Sequence, residues 1–281
     1  MRIIKTEMIY HTIKEVLMNI AHEYPEDVAY ALSSAKKTET KRQAVSVLSM
    51  LEENATIAKE KRIPICQDTG MVIVQMTIGQ EVLLEGEDIN KSIQRAVADA
   101  YQKAYLRNSV VCDPLFNRKN TGNNTPAIVY YQMVAGEQCE IEVIAKGFGS
   151  ENTSRIKMCK PAEGVVGIKE FVVETVQLAG PNACPPMIVG VGIGGSFDYV
   201  AFLAKKALLR PLDSYNHLIE YETLEKELLD EINALGIGPM GLHGKTTALK
   251  VNIEWFPTHI ASLPVAVNIN CHVSRHQKVV L

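Results

Sequence analysis

The sequence predicts an α+β fold, with a helical N-terminal cap followed by a mixed α/β region. Three observations carry that expectation. Apolar residues recur at helical spacing through the opening block, and short β-rich runs crowd the middle of the chain. The two kinds of element do not alternate as regular βαβ units, which separates the pattern from a doubly wound sheet. The chain has 281 residues, 47% hydrophobic and 22% charged, enough to bury one large core or two smaller ones. A helical region over 1–62 and an α/β region over 63–281 are expected, the two forming one continuous domain.

The elements follow in order. Met8, Ile9, Ile13, Val16, Leu17 and Ile20 form one helical stripe, and Pro25 followed by Glu26 and Asp27 reads as the first turn of a second helix. A third helix is expected over about 40–60. The run MVIVQMTI at 71–78 reads as a strand, and a helix over about 88–106 carries Ile93, Ala96, Val97 and Ala100 on one face. PAIVYYQMV and EQCEIEVIAKG flank Gly136; in the second, Cys139, Ile141 and Val143 alternate with Glu140 and Glu142. This pair reads as an antiparallel hairpin with one solvated face and Cys139 in the core. GVVGIKEFVVETVQL at 164–178 and SFDYVAFLAKKALL read as helices and PPMIVGVGI as a strand. A charged amphipathic helix should cover about 220–235, and the tail THIASLPVAVNINCHVS reads as strand and loop.

Charge and composition narrow the partners. A formal net charge of -3 gives no field to gather nucleic acid, and no polybasic cluster adjoins an amphipathic helix to suggest a membrane surface. No apolar run approaches the roughly 20 residues needed to span a bilayer. The first residues mix both charge signs and lack a signal-peptide layout, so a cytoplasmic location and a small-molecule ligand are expected. In a reducing compartment the six cysteines are read as core residues, ligands or reactive thiols, not as disulfides.

Two phosphate-loop lookalikes fail on context. GVGIGG at 190–195 fits the dinucleotide string and stands between a strand and a helix. The required second strand with an acidic terminus is missing, because Asp213 follows Pro211 with no apolar run before it. The glycines then serve a close-packed turn. Gly244-Lys245-Thr246 resembles the end of a P-loop, but Gly238 is one residue out of register and a helix precedes it.

Cys66 in PICQDTG, Cys184 in AGPNACPPM and Cys271 in NINCHVSR stand in turn-like settings that a buried thiol does not need. Cys112, Cys139 and Cys159 lack that setting. Spacing alone leaves the trio open between an iron–sulfur cluster, a zinc site and a lone catalytic thiol, since the three are more than 80 residues apart. Three thiolates would leave one iron of a 4Fe-4S cluster open to substrate, where four would saturate it. Gln67 and Asp68 would then set an amide and a carboxylate beside the metal.

At these residues the chain resembles the class I iron–sulfur fumarases, specifically their N-terminal half or separate α subunit, and the related L-tartrate dehydratases. The resemblance runs nearly end to end and rests on PICQDTG at 64–70, LRNSVVCDP at 106–114, NTGNNTPA at 120–127, KGFGSEN at 146–152, NACPP at 182–186, VGVGIGG at 189–195, LGIGPMGLHGKTTAL at 235–249 and PTHIASLPVAVNINCHVSRH at 257–276. It implies the fold of the class I fumarase N-terminal domain and a [4Fe-4S] cluster with one open iron held by Cys66, Cys184 and Cys271. It also implies substrate contacts from Gln67, Arg107 and the backbone at Gly149, proton transfer by Asp68, and an approach to the site by His259, a neighbouring subunit being one source.

The implied activity is reversible hydration of fumarate to L-malate, a step of the tricarboxylic acid cycle. L-tartrate or another small dicarboxylate is the alternative substrate, and a noncatalytic cluster-carrying subunit the alternative of another class. A β subunit carrying the rest of the site and homodimerisation of the α chain are the expected partnerships, with no nucleic acid and no membrane. The sequence departs from the family pattern at Phe148, Met240 and His243, where glycine, glutamine and glycine are usual.

Overall fold

A computed structural model describes every residue from Met1 to Leu281. The first elements are β1 (Arg2–Lys5), α1 (Thr6–Ile20), α2 (Glu26–Thr38) and α3 (Arg42–Lys61), followed by β2 (Met71–Gly79), β3 (Val82–Glu85) and α4 (Ile89–Lys103). Next come β4 (Ile128–Val134), β5 (Cys139–Lys146), the one-turn α5 (Phe148–Glu151), β6 (Arg155–Cys159), α6 (Gly164–Ala179) and β7 (Met187–Gly194). The chain finishes with α7 (Phe197–Ala207), α8 (Ile219–Ala234), β8 (Ala248–Phe256), β9 (Leu263–Asn270) and β10 (His276–Val280). Local chemistry sets several starts: Glu26 and Asp27 occupy the first turn of α2, and the Asp88 carboxylate accepts the Lys91 N–H at 2.9 Å to cap α4.

The chain divides into two compact units, the first built from Met1–Pro25, Asn54–Phe148 and Arg275–Leu281, the second from Glu26–Glu53 and Gly149–Ser274.

In the first unit a four-stranded sheet has the order β10-β5-β2-β4. Its apolar face presents Val72, Val74 and Met76 of β2 with Cys139, Ile141 and Val143 of β5. Ile9, Ile13 and Leu17 of α1 and Ile93, Ala96 and Val97 of α4 complete the same core. Each such large aliphatic side chain contributes about 1.5–3 kcal/mol by leaving water. β1 pairs in parallel with β3 beside this sheet, so the helical pattern of the opening block begins at Thr6 and a strand precedes it.

The expected hairpin is corrected here. β4 and β5 do not pair; both flank β2, β4 in parallel and β5 antiparallel. The physical reason is burial. Nearly every residue of β2 is shielded, on both faces, whereas β4 exposes Ile128, Tyr130, Tyr131 and Met133, so the strand that can be buried on both faces takes the centre.

The second unit holds the sheet β6-β9-β7-β8, in which β7 is antiparallel to β9 and parallel to β8. All eight residues of β7 are buried. Along β7 the faces alternate between glycine and β-branched residues. On the valine face, Val189 and Val191 join a core with Phe171, Val172 and Val176 of α6 and Leu228 and Ile232 of α8. On the other face α7 comes so close that a Cβ at Gly190 would meet Ala204 O at 2.2 Å and one at Gly192 would meet Val200 O at 2.2 Å. The GVGIGG string is therefore a helix-packing device, as its sequence context implied. No helix is long and apolar enough to cross a membrane.

Candidate functional site

The segment between α3 and β2 carries Cys66, Gln67 and Asp68, and the first unit anchors its backbone on either side of these three residues. Ile65 N–H donates to Ala21 O at 3.0 Å, and Asn54 Nδ2 donates to Ile65 O at 2.9 Å. Thr69 Oγ1 donates to Arg107 O at 2.7 Å, and the buried Tyr101 hydroxyl lies 2.8 Å from Thr69 O and 3.0 Å from Gly70 O. Asn124 closes the ring, donating through Nδ2 to Gly70 O at 3.1 Å and accepting the Ser109 N–H through Oδ1 at 2.7 Å. Gly70 has φ +83°, and a Cβ there would stand 2.8 Å from the Ala145 carbonyl carbon, so only glycine fits.

That frame holds the Asp68 carboxylate by both oxygens. Oδ1 accepts the Gly70 N–H at 2.9 Å, and Oδ2 accepts the Phe148 N–H at 2.7 Å. Charge-assisted bonds to backbone amides fix orientation at little entropic cost. Burial pushes the Tyr101 hydroxyl up to about 12; the nearby Arg275 charge opposes that shift and the Asp68 charge adds to it. Gln67 is exposed. The Arg107 side chain is exposed too, although its carbonyl is tied to Thr69.

In the second unit Cys184 follows a short 3-10 turn over Gly180–Ala183 and adopts left-handed backbone angles, φ 52° and ψ 64°. Its carbonyl accepts two bonds from His272, the N–H at 3.3 Å and ring Nδ1 at 2.9 Å. Because a carbonyl can only accept, the Nδ1 proton is present, and the residue after Cys271 is latched to Cys184. Burial pushes the His272 pKa down. The chain after Cys184 is anchored by Met240, whose N–H donates to Pro185 O at 2.7 Å. Met240 and His243 both hold positive φ, 52° and 64°, which explains why glycine suits position 243.

The remaining expected residues are less integrated. Gly149 is exposed, with Asn182 O 3.8 Å from where a Cβ would stand. His259 lies exposed in the turn after β8, its Nδ1 accepting the Ala261 N–H at 3.2 Å. The second unit thus brings the backbones at Cys184 and Cys271 together, while Cys66, Gln67, Asp68 and Arg107 belong to the first. Sequence reasoning missed Lys146 and Arg275, both almost fully buried in the first unit. Each stands inside a quoted motif, KGFGSEN or VSRH; the signal for Lys146 was a cation closing β5, whereas Arg275, in the segment between β9 and β10, carried no local signal.

The family model for fumarate hydratase (Fumerase) matches residues 10–280. The chain belongs to this family. A protein of Methanocaldococcus jannaschii provisionally named L(+)-tartrate dehydratase subunit alpha is 43% identical over 272 residues, covering 95% of either chain. The L(+)-tartrate dehydratase subunit alpha of Escherichia coli strain UTI89 is 35% identical over 258 residues, covering 91% of this chain and 85% of that one. The fold expectation is met, since the mixed α/β architecture agrees with the fumarase-family N-terminal domain. The family is one of hydro-lyases.

Membership in the fumarate hydratase family implies an iron–sulfur cluster. The thiols sort accordingly. Cys139 and Cys159 are buried and burial pushes both thiols up, the wrong direction for a thiolate ligand, and Cys112 is exposed. Cys66, Cys184 and Cys271 form no disulfide and are partly buried, the setting that admits an inserted group while limiting solvent. The donor chemistry therefore fits a thiolate-held cluster. No three His, Cys, Asp or Glu side chains in the structure are gathered as a metal site.

Proposed function

We propose that the chain is the cluster-bearing α subunit of a hydro-lyase that adds water to, or removes it from, a four-carbon dicarboxylate. The single observation behind this reading is the family match over residues 10–280, which takes in the Asp68 turn and all three turn-borne thiols. Cys66, Cys184 and Cys271 would hold a [4Fe-4S] cluster. Its open iron would supply a Lewis acid for a substrate hydroxyl and carboxylate.

The chain's own groups divide the remaining work. Asp68, held at both oxygens by backbone N–H groups, keeps free lone pairs and is the proton-transfer group. Gln67 and Arg107 are exposed beside the same turn, available to a substrate amide contact and to a bidentate carboxylate contact. The backbone at Gly149 lines the substrate, and His259 approaches it from a turn free to meet a neighbouring chain. Relatives named as α subunits support a β subunit that carries the rest of the site.

Two substrates stand on different observations. The family description names fumarate, and the KG-GSEN and KTTAL strings fit that branch, giving reversible hydration to L-malate. The relatives' names favour L-tartrate dehydration. Anaerobic cluster reconstitution of the α chain with its β partner, followed by a panel of fumarate, L-malate and L-tartrate, decides between them. Turnover of one with kcat/KM at least about 100-fold above the other assigns the substrate. A cluster-loaded complex that turns over none of the three refutes the hydro-lyase reading.

A further inference from the structure

Arg275 is the largest fully buried side chain in the protein, only 2% exposed, and its Nε has no hydrogen-bond partner. A guanidinium is costly to remove from water unless a nearby anion compensates it. Its backbone is fixed, because Arg275 O accepts the Ala145 N–H at 3.0 Å at the end of β5. From there the side chain reaches the turn that carries Asp68. Arg275 Nη2 lies 3.5 Å and Asp68 Oδ2 lies 3.3 Å from the same point, the side-chain position that Gly147 leaves empty. Tyr101 feels both charges, Arg275 in one direction and Asp68 in the other. Lys146 donates from Nζ to Gly147 O at 3.1 Å, which holds the glycine in place.

We propose that Arg275 is a positioning residue for Asp68: its buried guanidinium, facing the carboxylate across Gly147, holds that carboxylate on the Gly70 and Phe148 amides in the orientation the reaction uses. This rests on the hydro-lyase reading only for the consequence to turnover. The positional part concerns the chain alone. Asp68 Oδ2 already accepts the Phe148 N–H, and the attraction of a guanidinium that reaches the same point beside Gly147 opposes departure of the carboxylate from that place. Gly147 keeps the space clear, since a methyl there would press on Oδ2 at 3.3 Å.

The test has two arms. In the isolated chain, amide exchange at Gly70 and Phe148 is followed in wild type, Arg275→Met, Arg275→Lys and Gly147→Ala. Arg275→Met keeps the bulk of the side chain without its charge. The expected result is at least about 10-fold faster exchange at those two amides with Val143 and Ile141 of β5 unchanged. Arg275→Lys should restore most of the protection, and Gly147→Ala should disturb Phe148 alone. In the reconstituted complex, Arg275→Met should lower kcat about 100-fold with KM nearly unchanged, the size expected when a reacting group is misplaced.

Unchanged exchange at Gly70 and Phe148 overturns the proposal whatever the activity. Faster exchange across the whole of β5 makes Arg275 a structural residue and overturns it as well. A rise in KM at constant kcat makes Arg275 a substrate contact and overturns it too. If the wild-type complex turns over no dicarboxylate, the hydro-lyase reading fails, while the exchange arm still decides the positioning role.

Discussion

The Asp68 turn of the first unit and the Cys184 corner of the second are built on opposite uses of the backbone. At the Asp68 turn the positive φ falls on Gly70, and the surrounding carbonyls and amides are taken up by Thr69, Tyr101, Asn124 and the carboxylate itself. At the corner, positive φ falls on Cys184, Met240 and His243, each of which has a Cβ and bears strain of about 1 kcal/mol or more. The first arrangement fixes an oxygen acid to a rigid frame. The second holds a half-buried sulfur on a strained segment latched by His272 and Met240. The difference suits the two proposed roles: a proton-transfer group would gain from fixed geometry, and a cluster ligand from a backbone braced before the group arrives.

Four substitutions press on that comparison. The largest effect is expected from Gly70→Ala, which forces a Cβ to 2.8 Å from the Ala145 carbonyl carbon at φ +83°. It should cost about 4 kcal/mol or prevent folding, measured by urea denaturation. Wild-type stability for that variant would show that the turn is not rigid.

Glu39 probes the second unit. Burial pushes its carboxyl up, yet the N–H groups of Lys41, Lys245, Thr40 and Thr246 outweigh that and hold it below the ordinary glutamate value. The folded form therefore releases its proton more readily than the unfolded form. The stabilisation is fully present above the ordinary glutamate value and is lost as pH falls through the depressed one. Glu39→Gln should cost about 2 kcal/mol at neutral pH and flatten the acid limb of the stability curve. An unchanged acid limb would remove Glu39 as the brace of the 244–246 loop.

His243→Gly relieves the left-handed backbone at φ 64° and should raise stability by about 1 kcal/mol. Destabilisation instead would mean that the His243 ring contact with Gly236 O, 3.4 Å from Nδ1, outweighs the strain. The smallest effect belongs to His22. Burial, helped by the Arg62 charge, pushes its pKa down against the opposing pull of the Met18 backbone and the Glu23 charge. The unfolded chain takes up the proton first, so stability should fall as pH drops below the ordinary histidine range. Thermal melts of His22→Leu at pH 5 and pH 7 should differ less than those of wild type.

Much of this was legible in the sequence because it depends on local signals. The stripes of α1, α4 and α8, the Pro25-Glu26-Asp27 start of α2, and the core placement of Cys139 all follow from periodicity and first-turn chemistry. The strand partners of β4 and β5 did not follow, because pairing is decided by which strand can be buried on both faces, a property of the whole sheet. β8 was missed because KTTALKVNIEWF alternates weakly and pairs with β7 across the α7–α8 crossover. At the site, the quoted motifs located the Asp68 turn and the turn-borne thiols. They hid Arg275, whose importance lies in its burial and not in its spacing from any other group.

The central claim is that Cys66, Cys184 and Cys271 together hold one cluster that serves a hydro-lyase. The most direct measurement is anaerobic reconstitution of wild type and Cys184→Ser with the β partner, with iron and sulfide content, electron paramagnetic resonance and dicarboxylate turnover read on the same samples. The account predicts a full complement of iron, a cluster signal altered by substrate, and turnover in wild type, with cluster and turnover both lost in Cys184→Ser. A Cys184→Ser complex that kept the full cluster and full activity would contradict it.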